Sequence, residues 1–573
     1  MLALLFSWII IFLVLFSFGD MFLSAYNKIC KRKEEYNLTD KLILGLCSLI
    51  IPLSIWSLFM PSNHIFLALG IGACIVYLGI NYRSLYKAFA STKKKVYTYL
   101  SPSQTIVFIL FVFSSLIFFL WHQEVYDSAF YHFQNIRWNE EYAVVPGIAN
   151  IDDRFGFNSN YFLLSAIFTF RPIFSEAIYP LQSLIVTAIG GWIVYELFRS
   201  GYETKRFIIF ITYVLLFWVS IYYLGNTSTD ILPNFIIFYL IARLVLHPGL
   251  LKINYLIGII LPVFLVTCKL STLPISIISL YLLYSLIKEK NYKIISFACI
   301  ISLFIIIPWL IRNVIISGYL IYPLYQIDLF SFDWKVPKEI AIKEKNYIFE
   351  VGYYFFRIAL RYPSDSIRDP FAINILTDII YLFTTASFSI FIYKLWKRRH
   401  EIPSHIYLLY ITFFAIIIVW ATGGPDIRFV PGVLCAVIFT GALLMKKREL
   451  HLRKAGVTIL CCFIISISFW TGSRFYYFYP NIENTDIQLV KHVIVKPFSI
   501  IDQSKVKGLD IESQFTKYPI NNGLFIRVHT HSPLDLLPPA SIDSHYSKFL
   551  PLECIEARGY SVQDGYRARQ FAN

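Results

Sequence analysis

Eight side chains at or near the ends of apolar stretches in this 573-residue sequence have types and spacings that could do chemistry. Asp127 lies six residues beyond Trp121, where an apolar run ends, and His132 follows five residues later, about one and a half helical turns on. Asp152 and Asp153 form an acidic pair 25 residues after Asp127, beside Arg154. Asp230 ends the run GNTSTD before another apolar stretch, while Lys269, Arg312 and Arg428 stand in TCKLSTLP, PWLIRN and GGPDIRF. Carboxylates and imidazole can take up a proton, and ammonium or guanidinium groups can neutralise an anion. Each also has an ordinary reading. Asp127 precedes SAFYHF, and Asp230 an apolar run, as helix caps would. Asp152 or Asp153 could simply pair with Arg154, His132 could be an interfacial hydrogen-bonding residue, and the three cations could snorkel to lipid headgroups.

What must position these groups is a set of membrane helices. Apolar residues make up 57 % of the chain and aromatic residues 18 %, but charged residues only 15 %, against about 25 % in an average soluble domain. The mean hydropathy of +0.60 excludes a disordered, collagenous or disulfide-framework protein. Crossing the hydrocarbon core takes about 20 apolar residues. Fourteen candidate stretches occur, near residues 2–19, 42–60, 65–80, 104–121, 177–198, 207–224, 231–247, 253–268, 272–287, 294–311, 375–393, 404–420, 429–445 and 455–472.

The net charge of +15 then becomes a topology code instead of a sign of nucleic-acid binding. Basic clusters beginning at Lys28, Lys93, Arg199, Lys288, Lys394 and Lys446 fall in alternate short loops, the cytoplasmic ones by the positive-inside rule. The connections at 61–64, 122–176, 225–230, 312–374 and 421–428, the tail from 473 and both termini are then outside. This threading requires the apolar piece Asn160–Phe170 to be a helix lying on or dipping into the outer leaflet, since a further span would reverse every later basic loop. Ahead of it, Tyr126, Ala129, Phe130, Phe133 and Ile136 recur at helical spacing, with Trp138 and Tyr142 nearby, as in an interfacial helix ended by Pro146 and Gly147.

The sequence predicts an all-α polytopic membrane protein of about 14 transmembrane helices with a small exported C-terminal α+β or β domain. Three regions follow: spans within 1–103, a core over 104–472, and the exported domain over 473–573. The N-terminus lacks a basic n-region and a small-residue cleavage site, so the first span is expected to be retained. Eight of the nine cysteines lie in or beside spans, leaving Cys554 alone in the tail, and there is no CxxC zinc pattern. No Walker A or GxGxxG loop occurs, which argues against an ATP-driven pump or an enzyme with its own cytosolic nucleotide-sugar domain.

Five words, YDSAFYHFQNIRW, VPGIANIDDRFGFNS, STDILPN, PWLIRNVIISGYLIYP and PDIRF, carry a resemblance. Over roughly residues 104–445, and more weakly in the tail, the chain resembles membrane glycosyltransferases of the GT-C type and is similar to a bacterial family of multi-spanning membrane proteins. Spans 1–3 precede the usual first outer loop of that superfamily and look like an N-terminal addition. The resemblance implies inverting transfer of a sugar from a polyprenyl-phosphate donor to a glycan or glycolipid acceptor at the outer face of a bacterial inner (plasma) membrane, with both termini outside.

Under that resemblance Asp127 is the general base, and Asp152 or Asp153 positions the acceptor or shares a metal with Asp127. His132 contacts the lipid phosphate, Asp230 orients a sugar or acceptor hydroxyl, and Lys269, Arg312 and Arg428 neutralise the leaving phosphate. The loop 312–374 covers the donor, and the tail binds acceptor or shields the site. No cofactor is expected, and no resident metal, since a monophosphate carries less charge than a diphosphate and His and carboxylate clusters at ligand spacing are missing. The partners expected are the lipid-linked donor, the acceptor and the bilayer, with no nucleic acid. Two alternatives stand: an O-antigen-type polymerase or ligase, and a lipid-linked glycan flippase or secondary transporter. Transporters usually show repeat symmetry and midplane polar groups.

Overall fold

The computed structural model describes residues 1–34, 36–122, 125, 127–252, 255–360, 371–445, 450–482, 488–508, 515–529, 540–542 and 550–569. Residues 446–449 of the last basic cluster, Tyr126, the RYPSDS part of the second long loop and the SPLDLLPP segment lie outside the described residues.

The helices run in the order α1 Leu2–Cys30, α2 Leu38–Trp56, α3 His64–Tyr99, α4 Pro102–Phe118, α5 Phe133–Glu141, α6 Asn160–Ile167, α7 Arg171–Phe174, α8 Pro180–Arg199, α9 Thr204–Val219, α10 Ile221–Leu224 and α11 Ile231–Leu246. They continue with α12 Leu256–Cys268, α13 Ser276–Lys288, α14 Tyr292–Ser317, α15 Lys338–Leu360, α16 Phe371–Lys397, α17 Ser404–Gly423, α18 Pro431–Met445, α19 Arg453–Ile482, α20 Leu489–Val495 and α21 Ile500–Val506. Among the described residues nine helices are long and apolar enough to cross a membrane, and α4, α11, α12 and α18 are shorter apolar helices. The chain is therefore an all-α polytopic protein in its main body. All fourteen apolar stretches coincide with helices, which satisfy the backbone groups of an apolar run within the run itself.

Local signals set several boundaries. Asn37 caps α2 through its side chain, and Ser101 with Gln104 forms a capping box at α4, with Pro102 in the first turn. Two glycines decide one helix pairing. A Cβ on Gly19 would lie 1.9 Å from the Lys41 carbonyl oxygen and one on Gly45 2.0 Å from that of Leu15, so α1 and α2 touch backbone to backbone. The N-terminal helices are built into the bundle: α2 also packs on α6, α8, α12 and α14.

The segment between α4 and α8 folds inward. Ser128–His132 is a π-helical turn running into α5, whose Phe133, Ile136 and Trp138 are buried. The eight residues of α6 span about 12 Å, too short to cross a bilayer, and all eight are buried against α2, α3, α5 and α12. Both helices were expected along the headgroups or leaflet. Both are instead covered by protein: α6 buries all eight of its residues, and the largely polar α5 buries Phe133, Ile136 and Trp138.

The tail carries two small sheets. In one, β1 Thr516–Pro519 pairs antiparallel with β2 Phe525–His529, which pairs parallel with β3 Ala540–Ile542; in the other, β4 Ile555–Ala557 pairs antiparallel with β5 Tyr566–Ala568. Ile526, Val528, Ile555 and Tyr566 join Trp138, Ile148, Phe155, Ile316 and Tyr322 in one apolar cluster. The Tyr566 amide also donates to the Pro146 carbonyl at 2.9 Å. The tail thus rests on both long connections, holding them against the helical body.

Candidate functional site

The five sequence words meet in space. Ser128 donates to the Thr227 carbonyl (3.1 Å), joining the first word to GNTSTD. Asn234 of STDILPN donates to the Phe429 carbonyl (3.1 Å) and accepts from the Gly432 amide (3.0 Å), fixing the PDIRF turn to the start of α11. Gly432 is obligatory here, since a Cβ would lie 2.1 Å from the Asn234 carbonyl oxygen. On the other side Ser159 donates to the Cys268 carbonyl (2.7 Å) and Asn160 to Thr267 Oγ1 (2.8 Å), tying the GFNS end of the second word to the turn that holds Lys269. Asn158 and Trp309 exchange two bonds of 3.0 Å, joining the same word to PWLIRN.

These joints bring four of the expected residues together. Arg428 Nη1 is 2.5 Å from Asp127 Oδ2 across 301 residues of sequence, and Arg428 Nε is 2.9 Å from Asp426. Lys269 is bonded to Asp230. Its Nζ lies 3.7 Å from the centre of the Phe429 ring, against which Arg428 also packs at 5.0 Å. Asp127, Arg428 and Lys269 are each about one-fifth exposed, so the cluster is reachable. Asp127 occupies a cap position but makes no cap bond; its carboxylate goes to Arg428 instead. Asp230 likewise makes no side-chain cap bond.

Electrostatics separates the carboxylates. Burial pushes Asp127 up, but Arg428, aided by His132 and Arg154, outweighs it and holds the carboxyl below its usual range. His132 is buried, its Nδ1 3.2 Å from Ser128 Oγ and its Nε2 without a partner; burial lowers its pKa to about 4, so it is neutral near pH 7. In this state it is a neutral hydrogen-bonding group near pH 7.

Asp152 and Asp153 behave differently from each other. Asp152 caps its turn, accepting from the Arg154 amide (3.1 Å) and from Arg154 Nε (3.3 Å). Asp153 is buried, and neither oxygen makes a hydrogen bond of normal geometry to an N–H; the carboxyl beside it is that of Glu344 on α15. Burial first, and then the Asp152 charge, raise Asp153 to about 6, and burial with Asp153 raises Glu344 well above the ordinary range. Two carboxyls this close hold one proton between them near neutral pH. The Tyr322 hydroxyl, also buried without a partner, feels the charges of the same pair, and Tyr131 feels those of Asp127, Arg428 and Glu344.

Asp153 carries a pH prediction. Its folded pKa exceeds the unfolded value of 3.8, so ionising it costs stability above about pH 6, a cost absent below about pH 4. Asp153→Asn, whose amide can donate to Glu344, is expected to raise the thermal midpoint at pH 7.5 and leave it nearly unchanged at pH 4.5. Equal shifts at both pH values would contradict the buried acid pair.

Arg312 stands apart from the cluster. It is 2 % exposed and bonds Asn139 Oδ1 (2.6 Å), Ser57 Oγ (2.9 Å) and Asn158 Oδ1 (3.4 Å). Glu344, Asp426, Asn234 and Tyr131 enter the site without having been singled out in the sequence. Asp426 was legible inside PDIRF, two residues before Arg428 in the pattern of a side-chain cap. Glu344 was not, because KEKN reads as an ordinary solvated helix face. No group of three or more His, Cys, Asp or Glu side chains among the described residues is arranged to hold a metal ion.

A family model matches residues 1–435. The chain belongs to the family described as Domain of unknown function (DUF8201). No curated protein and no solved structure matches it. The DUF8201 match contains every candidate residue from Asp127 to Arg428 and stops within α18, so the family segment carries the whole cluster and the tail lies beyond it.

Proposed function

We propose that this chain is a GT-C-like, inverting glycosyltransferase of a bacterial inner membrane. It takes a sugar from a polyprenyl-phosphate donor and passes it to a glycan or glycolipid at the outer face. Fourteen helices cross the bilayer, both termini are outside, and the tail is an exported domain. The observation that carries this reading is a reachable carboxylate, Asp127, bonded to a cation, Arg428, that shares an aromatic ring with a second cation, Lys269.

The step has a simple balance. The acceptor hydroxyl oxygen bonds to the anomeric carbon, the bond from that carbon to the phosphate oxygen breaks with its electron pair, and lipid phosphate leaves. The hydroxyl proton goes to Asp127. In the ligand-free protein Asp127 is a weak base, because Arg428 holds its carboxyl low. A donor phosphate drawn to Arg428 and Lys269 competes for that cation and so releases Asp127 to accept a proton where the donor is seated. The Asp153–Glu344 pair suits the orientation of acceptor hydroxyls. Lys269 and Asp230 already neutralise each other, so the donor also has to displace that pairing.

The test is to compare surface glycan and lipid-carrier pools between cells with the wild-type protein and cells with Arg428→Gln. Loss of glycan with sugar-charged carrier accumulating at the outer face supports transfer. Carrier-linked units trapped on the cytoplasmic side would point to a flippase, and unchanged glycan would remove Arg428 from the reaction. A reporter fused after residue 171 is expected to behave as exported; a cytoplasmic signal would reverse the topology.

A further inference from the structure

We infer that the cleft around Arg312 is a second oxyanion site, distinct from the Asp127–Arg428 cluster, which takes the carboxylate or phosphate group of a polar ligand. The cleft is lined by Asn135, Trp138, Asn139, Asn158, Ser159 and Arg312, among others. Its one cation is buried in neutral surroundings. Arg312 is 2 % exposed, and its bonds go to two asparagine side-chain oxygens and to the hydroxyl and carbonyl of Ser57, at 2.6 to 3.4 Å. No carboxylate lies within ion-pair distance of it among the described residues.

A guanidinium taken out of water is costly to leave without an opposite charge, and buried charges in proteins are nearly always paired. Other arginines with little exposure keep the rule: Arg243 is paired with Asp40, Arg154 with Asp152 and Arg428 with Asp127. Among the described arginines buried to this degree Arg312 is the exception, and it lines a cleft. The neighbouring groups suit an anion carried on a polar ligand. Asn135, Asn139 and Asn158 are held by backbone bonds to Tyr131, Asn135 and Trp309. The buried Trp138 indole N–H makes no hydrogen bond, so a further donor is at hand. The amide forks, the free indole N–H and a flat guanidinium together recognise an oxyanion and the hydroxyls beside it.

Asn139 offers a direct test, because Asn139→Asp puts a carboxylate 2.6 Å from Arg312 Nη2 and supplies the missing charge from within. The full-length protein, purified in detergent, is unfolded thermally in sodium phosphate, sodium glucuronate and sodium chloride at one ionic strength. For the wild type, phosphate or glucuronate at ten times its Kd is expected to raise the midpoint by about 2 °C over chloride. Asn139→Asp is expected to start higher in chloride and to lose that response, and Arg312→Gln to lose it as well.

Lipid discs separate the two sources of the oxyanion. A response to phosphatidylglycerol over phosphatidylcholine discs, with none to glucuronate, assigns the site to a lipid headgroup; the reverse assigns it to an acidic saccharide. A wild type that responds no more than Asn139→Asp to every one of these anions overturns the inference, and that comparison holds even if Arg312→Gln fails to fold. The result is independent of the proposed transfer reaction, which is read from glycan and carrier pools.

Discussion

Asp127→Asn is expected to lower sugar transfer by roughly 10²–10⁴-fold at equal amounts of folded protein, the range typical for loss of a general base. The substitution keeps the shape and one hydrogen-bonding oxygen for Arg428 but cannot take up the acceptor proton. Arg428 retains Asp426 at 2.9 Å, and the two Asn234 bonds still hold the turn between α17 and α18 to α11. Transfer is read as surface glycan, with sugar-charged carrier as the accumulating substrate. If Asp127 only balances Arg428, the loss would appear in the thermal midpoint and activity per folded molecule would stay at the wild-type level. The pH dependence separates the two carboxylate groups further. Asp127 has a depressed folded pKa, so its contribution to stability is complete above the unfolded value of 3.8 and is lost only as pH falls through the lower folded value. Of the two carboxylate sites, the one that changes stability near pH 6 is therefore Asp153 with Glu344 and not the Asp127–Arg428 pair, while the buried His122 and His132 add their own change between about pH 6.5 and 4.

The largest stability effect is expected far from this site. Asp40, at the start of α2, is fully buried and accepts from the hydroxyls of Tyr239 and Tyr255 and from Arg243 Nη2, each at 2.7 Å. Asp40→Ala strands the Arg243 guanidinium and the buried Tyr255 hydroxyl, while Tyr239 keeps Asn37 at 3.1 Å, and breaking such a pair from one side typically costs about 3–5 kcal/mol. Thermal or denaturant unfolding of the purified protein measures it. The double variant Asp40→Leu with Arg243→Met removes both charges and is expected to recover much of that loss. A double variant no better than the single would show that the network's hydrogen bonds, and not the uncompensated charge, hold α2 to α11. Asp40 touches none of the candidate residues, so activity per folded molecule should be unchanged in either variant.

Neither network could be read along the chain, and the reason is the same in both. Asp40 and Arg243 are 203 residues apart, and Asp127 and Arg428 are 301 apart. A charged residue near a helix end looks alike in sequence whether it caps the helix, snorkels to a headgroup or meets a partner from another helix. Asp127 shows this directly: its position is that of a cap, and its bond is to Arg428. The three cations grouped in the sequence by their place at helix ends divide in space into Lys269 and Arg428, packed on one phenyl ring, and Arg312, enclosed by asparagines. The short helix α6 was legible as a helix but not as a buried one, since an apolar surface fits lipid and protein equally well.

The sequence by itself determined where the helices form, because the length of an apolar run and its capping residues act within a few residues of the chain. It also marked the five words whose polar residues lie at helix ends. Tertiary structure alone decided which of those residues meet. Helix packing is set by shape, such as the glycines joining α1 to α2 and the Gly432 contact with α11, and a single turn of rotation or shift would carry Arg428 away from Asp127. Burial is likewise a property of the assembled bundle, and it divides carboxyls of similar intrinsic acidity into a low-pKa partner for Arg428 and a proton-sharing pair at Asp153 and Glu344.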